Sequence, residues 1–87
     1  MIEFNNINEK ELLIHYAAKF EDVEVVNIIE NGVNNSSDAE RLAKLYWAIV
    51  DDSVNEDIER LLEKVYTSLH IHCGNRGYSD VWDSSIP

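Results

Sequence analysis

The sequence predicts an all-α fold, and three features of the chain support this prediction. Apolar residues recur at i, i+3, i+4 and i+7 in several segments, which is the spacing of one helix face. Residues that cap helices precede these segments, and Pro87 is the only proline, so none interrupts them. With 87 residues, the chain has room for one hydrophobic core. We therefore expect a single compact domain, residues 1–87, of two antiparallel helix pairs with a packed C-terminal tail.

Capping signals set the start of each predicted helix. A side chain that caps the helix, followed three residues later by Glu, forms a capping box, and this spacing recurs before three of the helices. The pairs are Asn8 and Glu11, Ser37 and Glu40, and Ser53 and Glu56. Asp22 is the expected cap of the second helix, which ends before Gly32 because glycine adopts the left-handed conformation at little cost. The four predicted helices span residues 9–21, 23–31, 38–50 and 54–70.

The spacing of apolar residues gives less clear evidence for the end of the fourth helix and for the conformation of the tail. Apolar and polar residues alternate from Leu69 to Cys73, as in a strand, but we expect the helix to continue to about His70. Residues 74–87 are rich in turn formers and still contain Tyr78 and Trp82, so the segment is too apolar for a solvated tail. We expect it to pack across the helices, and the alternative is that it becomes ordered on a partner.

The charge of the chain indicates which partners it can bind. Asp and Glu total 17 and Lys and Arg total 7, which gives a formal net charge of −10. Such a charge repels phosphate backbones and anionic membranes and favours basic protein surfaces. We therefore expect no direct nucleic-acid or membrane binding, and a basic protein as the partner.

The expected compartment follows from the cysteine and the N-terminal residues. Cys73 is the only cysteine, so it cannot form a disulfide within the chain. The first residues lack the basic and apolar regions of a signal peptide, and no apolar stretch approaches the roughly 18 residues of a membrane span. These features predict a cytoplasmic protein.

Residues 12–34, LLIHYAAKFEDVEVVNIIENGVN, resemble an ankyrin repeat. Residues 14–18, IHYAA, lie where that family has its leucine-histidine-x-alanine-alanine helix start, with Ile14 in place of the leucine, and residues 23–26 and 30–32 continue the resemblance. A fainter second copy brings the resemblance to residues 12–63. The resemblance implies paired antiparallel helices and a protein-interaction adaptor, with contacts on residues 34–36 and the first helices. Two pairs are fewer than the roughly three repeats that a solenoid needs, so we expect a compact body.

His70, His72 and Cys73 are the one cluster of metal-type ligands in the sequence. A zinc site would need a fourth ligand from elsewhere, and neither a helix nor a strand presents all three side chains on one face. We therefore predict no metal, no cofactor and no catalytic residue, and no enzymatic activity. A small metal-dependent enzyme using these three residues is the alternative from another functional class.

The distribution of acidic and aromatic residues favours a protein-binding function. Carboxylates are concentrated between residues 51 and 63, and two aromatic residues in the tail could hold a partner that the charge attracts. The predicted partner-binding residues are Asp51, Asp52, Glu56, Asp57, Glu59, Glu63, Tyr78, Asp80 and Trp82. In size, charge and helical content the chain resembles the immunity proteins and other small inhibitors. This resemblance implies an inhibitor that neutralises a basic nuclease toxin or another nucleic-acid-handling protein through its acidic face.

Overall fold

The computed structural model describes residues 2–53 and 55–85 and confirms the all-α prediction. No strand occurs in these two ranges, and the helices pack into a body of 32 × 26 × 22 Å. The helices of the described chain are α1 (Ile7–Lys19), α2 (Val23–Asn31), α3 (Ser36–Asp52), α4 (Glu56–Asn75) and α5 (Ser79–Ser84).

Helix α1 begins two residues before the predicted start. Its capping box is formed by Asn6 and Glu9, not by Asn8 and Glu11. The Asn6 side chain accepts from the Glu9 backbone N–H at 3.3 Å, and a Glu9 carboxylate oxygen accepts from the Asn6 N–H at 3.0 Å. The second Glu9 oxygen accepts from the Ser68 hydroxyl of α4 at 3.1 Å. This tertiary bond favours the earlier box, although both residue pairs have the spacing that the motif requires.

Asparagine also replaces serine as the cap of the next two long helices. Asn35 caps α3 by accepting from the Asp38 N–H at 2.8 Å, and Asn55 caps α4 by accepting from the Asp57 N–H at 2.8 Å. Ser53 instead follows the last residue of α3. The cap of α2 is Asp22, as predicted, and its side chain accepts from the Val25 N–H at 3.1 Å.

The C-terminal third of the chain is more helical than predicted. Helix α4 continues five residues past His70, because Leu69, His72 and Cys73 all turn inward at helical spacing. The tail then forms the short helix α5, whose Trp82 is completely buried. The tail is therefore packed, as expected, but it is not the irregular segment that its turn-forming residues suggested.

Helix α3 is the centre of the fold. It contacts each of the other four helices, while α5 packs on α3 and α4 and α1 packs on α2, α3 and α4. Each helix of the main bundle contributes fully buried apolar side chains, among them Leu13, Ile29, Leu42, Ile49 and Leu69. The core thus lies between the α1–α2 pair and the α3–α4 pair, and α5 closes one side of it.

Among the described helices, none has the length and apolar character needed to cross a membrane.

Candidate protein-binding surface

Five rings from three helices form an aromatic cluster where α3, α4 and α5 meet. The members of the aromatic cluster are Tyr46, Trp47, Tyr66, His70 and Trp82. The Tyr66 centroid lies 5.5 Å from that of Tyr46 and 5.7 Å from that of Trp82, in tilted arrangements. Aromatic pairs at these separations stabilise a fold beyond the area that they bury. The inner rings, those of Tyr46 and Trp82, belong to the hydrophobic core.

The outer rings of the cluster reach the surface. Trp47, Tyr66 and His70 are only partly buried. The Tyr66 and His70 rings stack with an interplanar angle of 12°, and Trp47 meets Tyr66 edge-on at 6.4 Å. His70 also lies 3.4 Å from the Asp83 carboxylate of α5. These contacts place three rings at the surface, and Trp and Tyr are among the residue types enriched at the centres of protein interfaces.

Carboxylates lie next to these rings on the same side of α4. Glu59, Glu63, Tyr66 and His70 follow one another at i, i+4, i+7 and i+11 within α4, so they line one face of the helix. The pKa of Tyr46 is raised by burial, by Tyr66 and by the negative charge of Glu63, so the Glu63 carboxylate acts on the cluster. We call Glu59, Glu63, Tyr66, His70, Trp47 and Asp83 the acidic-aromatic face.

The six predicted carboxylates of residues 51–63 are all exposed, but one of them is already in an ion pair. Asp51, Asp52, Glu56, Asp57, Glu59 and Glu63 lie at the end of α3 and in the first turns of α4. Asp52 pairs with Lys19 at 2.9 Å, and this hydrogen bond lowers the pKa of Asp52 and raises that of Lys19. Within the described chain the other five make no ion pair. Their negative charge is therefore available to an approaching partner.

Much of the chain's positive charge is paired with its own carboxylates. Lys10 pairs with Glu30, Lys44 with Glu40, and Arg41 with both Asp22 and Glu24. These pairs are exposed and add little stability. The acidic excess is therefore concentrated at the end of α3 and the start of α4, where five of the six predicted carboxylates make no ion pair with the described residues. Arg60 and Lys64 lie on the neighbouring side of α4.

The predicted aromatic pair of the tail requires correction. Trp82 is 0% exposed, so its ring packs in the core and cannot contact a partner. The Tyr78 hydroxyl donates to the Asn34 carbonyl at 3.2 Å and holds the α2–α3 connection. Asp80 is exposed in the first turn of α5. Trp47 and Tyr66 take the place of the tail residues as the aromatic side chains available at this surface.

The three metal-type ligands lie in different surroundings. His70 stacks on Tyr66, while Nε2 of His72 accepts from the Val33 N–H at 3.0 Å. Cys73 is fully buried, and burial raises the pKa of its thiol to about 11. No group of three or more His, Cys, Asp or Glu residues suited to a metal ion occurs among residues 2–53 and 55–85.

No protein-family description, curated protein or solved structure matches this chain. The likeness to ankyrin repeats and to immunity proteins therefore stays a prediction from the sequence.

Proposed function

We propose that the protein is a non-enzymatic inhibitor, similar in kind to immunity proteins, that binds a basic nuclease toxin or another nucleic-acid-handling protein. The observation that carries this proposal is the acidic-aromatic face. Two carboxylates are followed by two partly exposed rings along one side of α4, in a chain with a net charge of −10. The proposal places the contact on α3, α4 and α5, in the region of the predicted acidic residues.

The carboxylates would control the approach of the partner. Proteins that bind nucleic acids carry Lys and Arg where the phosphates lie, and an opposite charge raises the association rate by orders of magnitude at low salt. Glu56 and Asp57 share the first turn of α4 with Glu59, and Asp51 lies in the last turn of α3, so the carboxylates continue across the two helix ends. A partner covered in this way could not hold nucleic acid at the same surface.

The aromatic rings would hold the partner once it is bound. Trp and Tyr are enriched among the residues that dominate binding energy, because they bury a large area with few rotatable bonds. The rings also stack well with Arg side chains, so a basic partner can pair one guanidinium with a ring and a carboxylate together.

The test compares two variants with the same charge. Glu59→Gln with Glu63→Gln removes two charges from the acidic-aromatic face, and Glu21→Gln with Glu40→Gln removes two from elsewhere on the surface. Each protein is used to capture partners from extract of the native source, and the retained proteins are identified by mass spectrometry. We expect a basic nucleic-acid-handling protein with wild type and with the second variant, and at least about tenfold less of it with the first.

The captured protein is then assayed for nucleic-acid binding and cleavage with and without the inhibitor. The expected result is inhibition by wild type and its loss in Trp47→Ala, with both proteins folded by circular dichroism. Equal capture by the two charge variants, or binding without inhibition, would contradict the proposal.

A further inference from the structure

Helix α1 carries apolar side chains on its buried face and also beside that face. Leu13, Tyr16 and Ala17 are buried against the other helices. Beside that face, Ile7 is 67% exposed, and Ile14, seven residues further along the same line of the helix, is partly buried against the edge of the core. A surface helix normally carries polar residues where it meets solvent, so the exposure of Ile7 is not explained by the packing of the core.

Two adjacent depressions lie along this side of the helix and share Ile7 and Lys10. One, of about 370 Å³, continues over Glu11, Ile14 and His15. The other, of about 460 Å³, continues over the N-terminal segment and is lined by Ile2, Glu3, Phe4 and Asn6. We call the two together the α1 outer groove; its apolar floor runs from Ile14 past Ile7 to Phe4.

The charges around the groove indicate what can bind there. Glu3 and Glu11 are exposed at its edges, and the charge of Lys10 is already balanced by Glu30 at 3.1 Å. A second copy of this chain would bring another net charge of −10, and an anionic membrane would also be repelled. An apolar floor with carboxylates at the rim therefore fits a partner that is apolar in the middle and basic at its edges.

The shape of the floor favours a helix. Ile7 and Ile14 are two helical turns apart, roughly 10 Å along the axis, which matches the i, i+3, i+4 and i+7 spacing of an amphipathic helix laid beside α1. Side-chain ridges of one helix pack into the grooves of another at an axis separation of about 8–10 Å. We propose that the α1 outer groove binds a basic amphipathic helix of a partner protein, with apolar residues inward and Lys or Arg along its flanks.

The probe for this proposal is a synthetic peptide of about 18 residues, with Leu at the helical spacing and Lys on the flanks. One matched peptide replaces Lys by Glu, and a second contains the same residues in scrambled order. Binding is followed by backbone amide chemical shifts of the ¹⁵N-labelled protein. We expect shifts confined to α1 and residues 2–6, and an affinity at least about tenfold higher than for either control peptide.

Substitutions locate the site independently of the acidic-aromatic face. Ile7→Ser should weaken the peptide by about tenfold or more, and Glu11→Gln should reduce the salt dependence of binding. Val23→Ser is the matched control, because Val23 is 73% exposed and lines neither depression. Glu59→Gln with Glu63→Gln should also leave peptide binding unchanged, so this proposal and the proposed inhibitor function can fail separately.

Four outcomes would overturn the inference. The first is the absence of shifts in α1 with any peptide at about 1 mM. The second is equal binding of the Lys and Glu peptides. The third is a concentration-dependent dimer that Ile7→Ser abolishes, which would make a second copy the occupant. The fourth is binding to phosphatidylserine vesicles that Ile7→Ser abolishes, which would assign the groove to a lipid surface.

Discussion

The backbone N–H of Val33 donates a buried hydrogen bond of 3.0 Å to Nε2 of His72, which joins the α2–α3 connection to α4. Two neighbouring bonds strengthen this junction: Arg76 donates to the Val33 carbonyl and Tyr78 to the Asn34 carbonyl, each at 3.2 Å. An imidazole nitrogen can accept a hydrogen bond only when it carries no proton. The junction therefore requires a neutral His72.

This requirement predicts that the protein loses stability as the pH falls below about 6.5, the usual pKa of histidine. Burial, and then the charge of Arg76, lower the pKa of His72 in the folded state. The unfolded chain consequently takes up a proton at a higher pH than the folded one, so the contribution of His72 is complete above the unfolded pKa and declines toward the folded pKa. Urea unfolding between pH 5 and pH 8 would measure this dependence.

His72→Gln provides the comparison, because its amide oxygen can accept from Val33 and does not titrate in this range. We expect the variant to show a smaller loss of stability below pH 6.5 than wild type. His15→Gln, at an exposed position, should follow the wild-type curve. Identical curves for wild type and His72→Gln would show that His72 is not responsible.

Two glycines should respond to alanine in opposite directions. Gly32 has φ of 91°, and a Cβ there would lie 3.1 Å from Cε1 of His72 and 3.2 Å from Arg76, so Gly32→Ala should destabilise the fold by about 1–2 kcal/mol. Gly74 lies in the last turn of α4 with open space around it, so Gly74→Ala should stabilise by about 0.5 kcal/mol. Thermal unfolding of both variants tests this pair, and a shift of the same sign in both would contradict it.

The fold could be predicted largely from helical periodicity, because the apolar spacing within each helix does not depend on distant residues. Leu42, Leu45 and Ile49 are buried in α3 as their spacing indicates. Helix starts were less predictable, because residues 34–37 offer four capping residues in a row and the pattern does not choose among them. Residues 69–73 fit both a helix and a strand locally, and the contact that supports the helical choice, between His72 and Val33, joins residues 39 apart in the chain.

The candidate site was predictable in part. The carboxylates of residues 51–63 are exposed, as solvated helix-capping residues are, but the pairing of Asp52 with Lys19 across 33 residues has no signal in the sequence. The spacing of Glu59, Glu63 and Tyr66 was sufficient to predict that they share one face of α4. Trp47 could not be placed there, because its contact with Tyr66 depends on how α3 packs on α4.

The capping box of α1 gives a prediction that distinguishes the observed helix start from the one expected from sequence. Glu9→Ala removes the acceptor of the Asn6 N–H and of the Ser68 hydroxyl, so it should destabilise the fold by about 2–3 kcal/mol. Glu11→Ala lies on the exposed side of the same helix and should change stability by less than about 0.5 kcal/mol. Urea denaturation measures both, and the reverse order would favour the box at Asn8 and Glu11.

Trp82 should contribute to folding and not directly to partner binding. Its ring is 0% exposed and lies 5.9 Å from that of Tyr46 and 5.7 Å from that of Tyr66, so Trp82→Ala should leave a large cavity and cost about 3–5 kcal/mol. Trp82→Phe should cost less, because it also removes a buried indole N–H that has no acceptor within the described residues.

Denaturant unfolding of these variants, followed by circular dichroism, would give the free energies. Asp80→Asn is the control on the same short helix, and since Asp80 is exposed we expect its unfolding curve to match that of wild type. If Trp82→Ala kept wild-type stability, α5 would not be part of the core, and the tail would again be free to order on a partner. A large loss in Trp82→Ala with a smaller loss in Trp82→Phe would establish α5 as the element that closes the core over α3 and α4, leaving Trp47 and Tyr66 as the rings that a partner can reach.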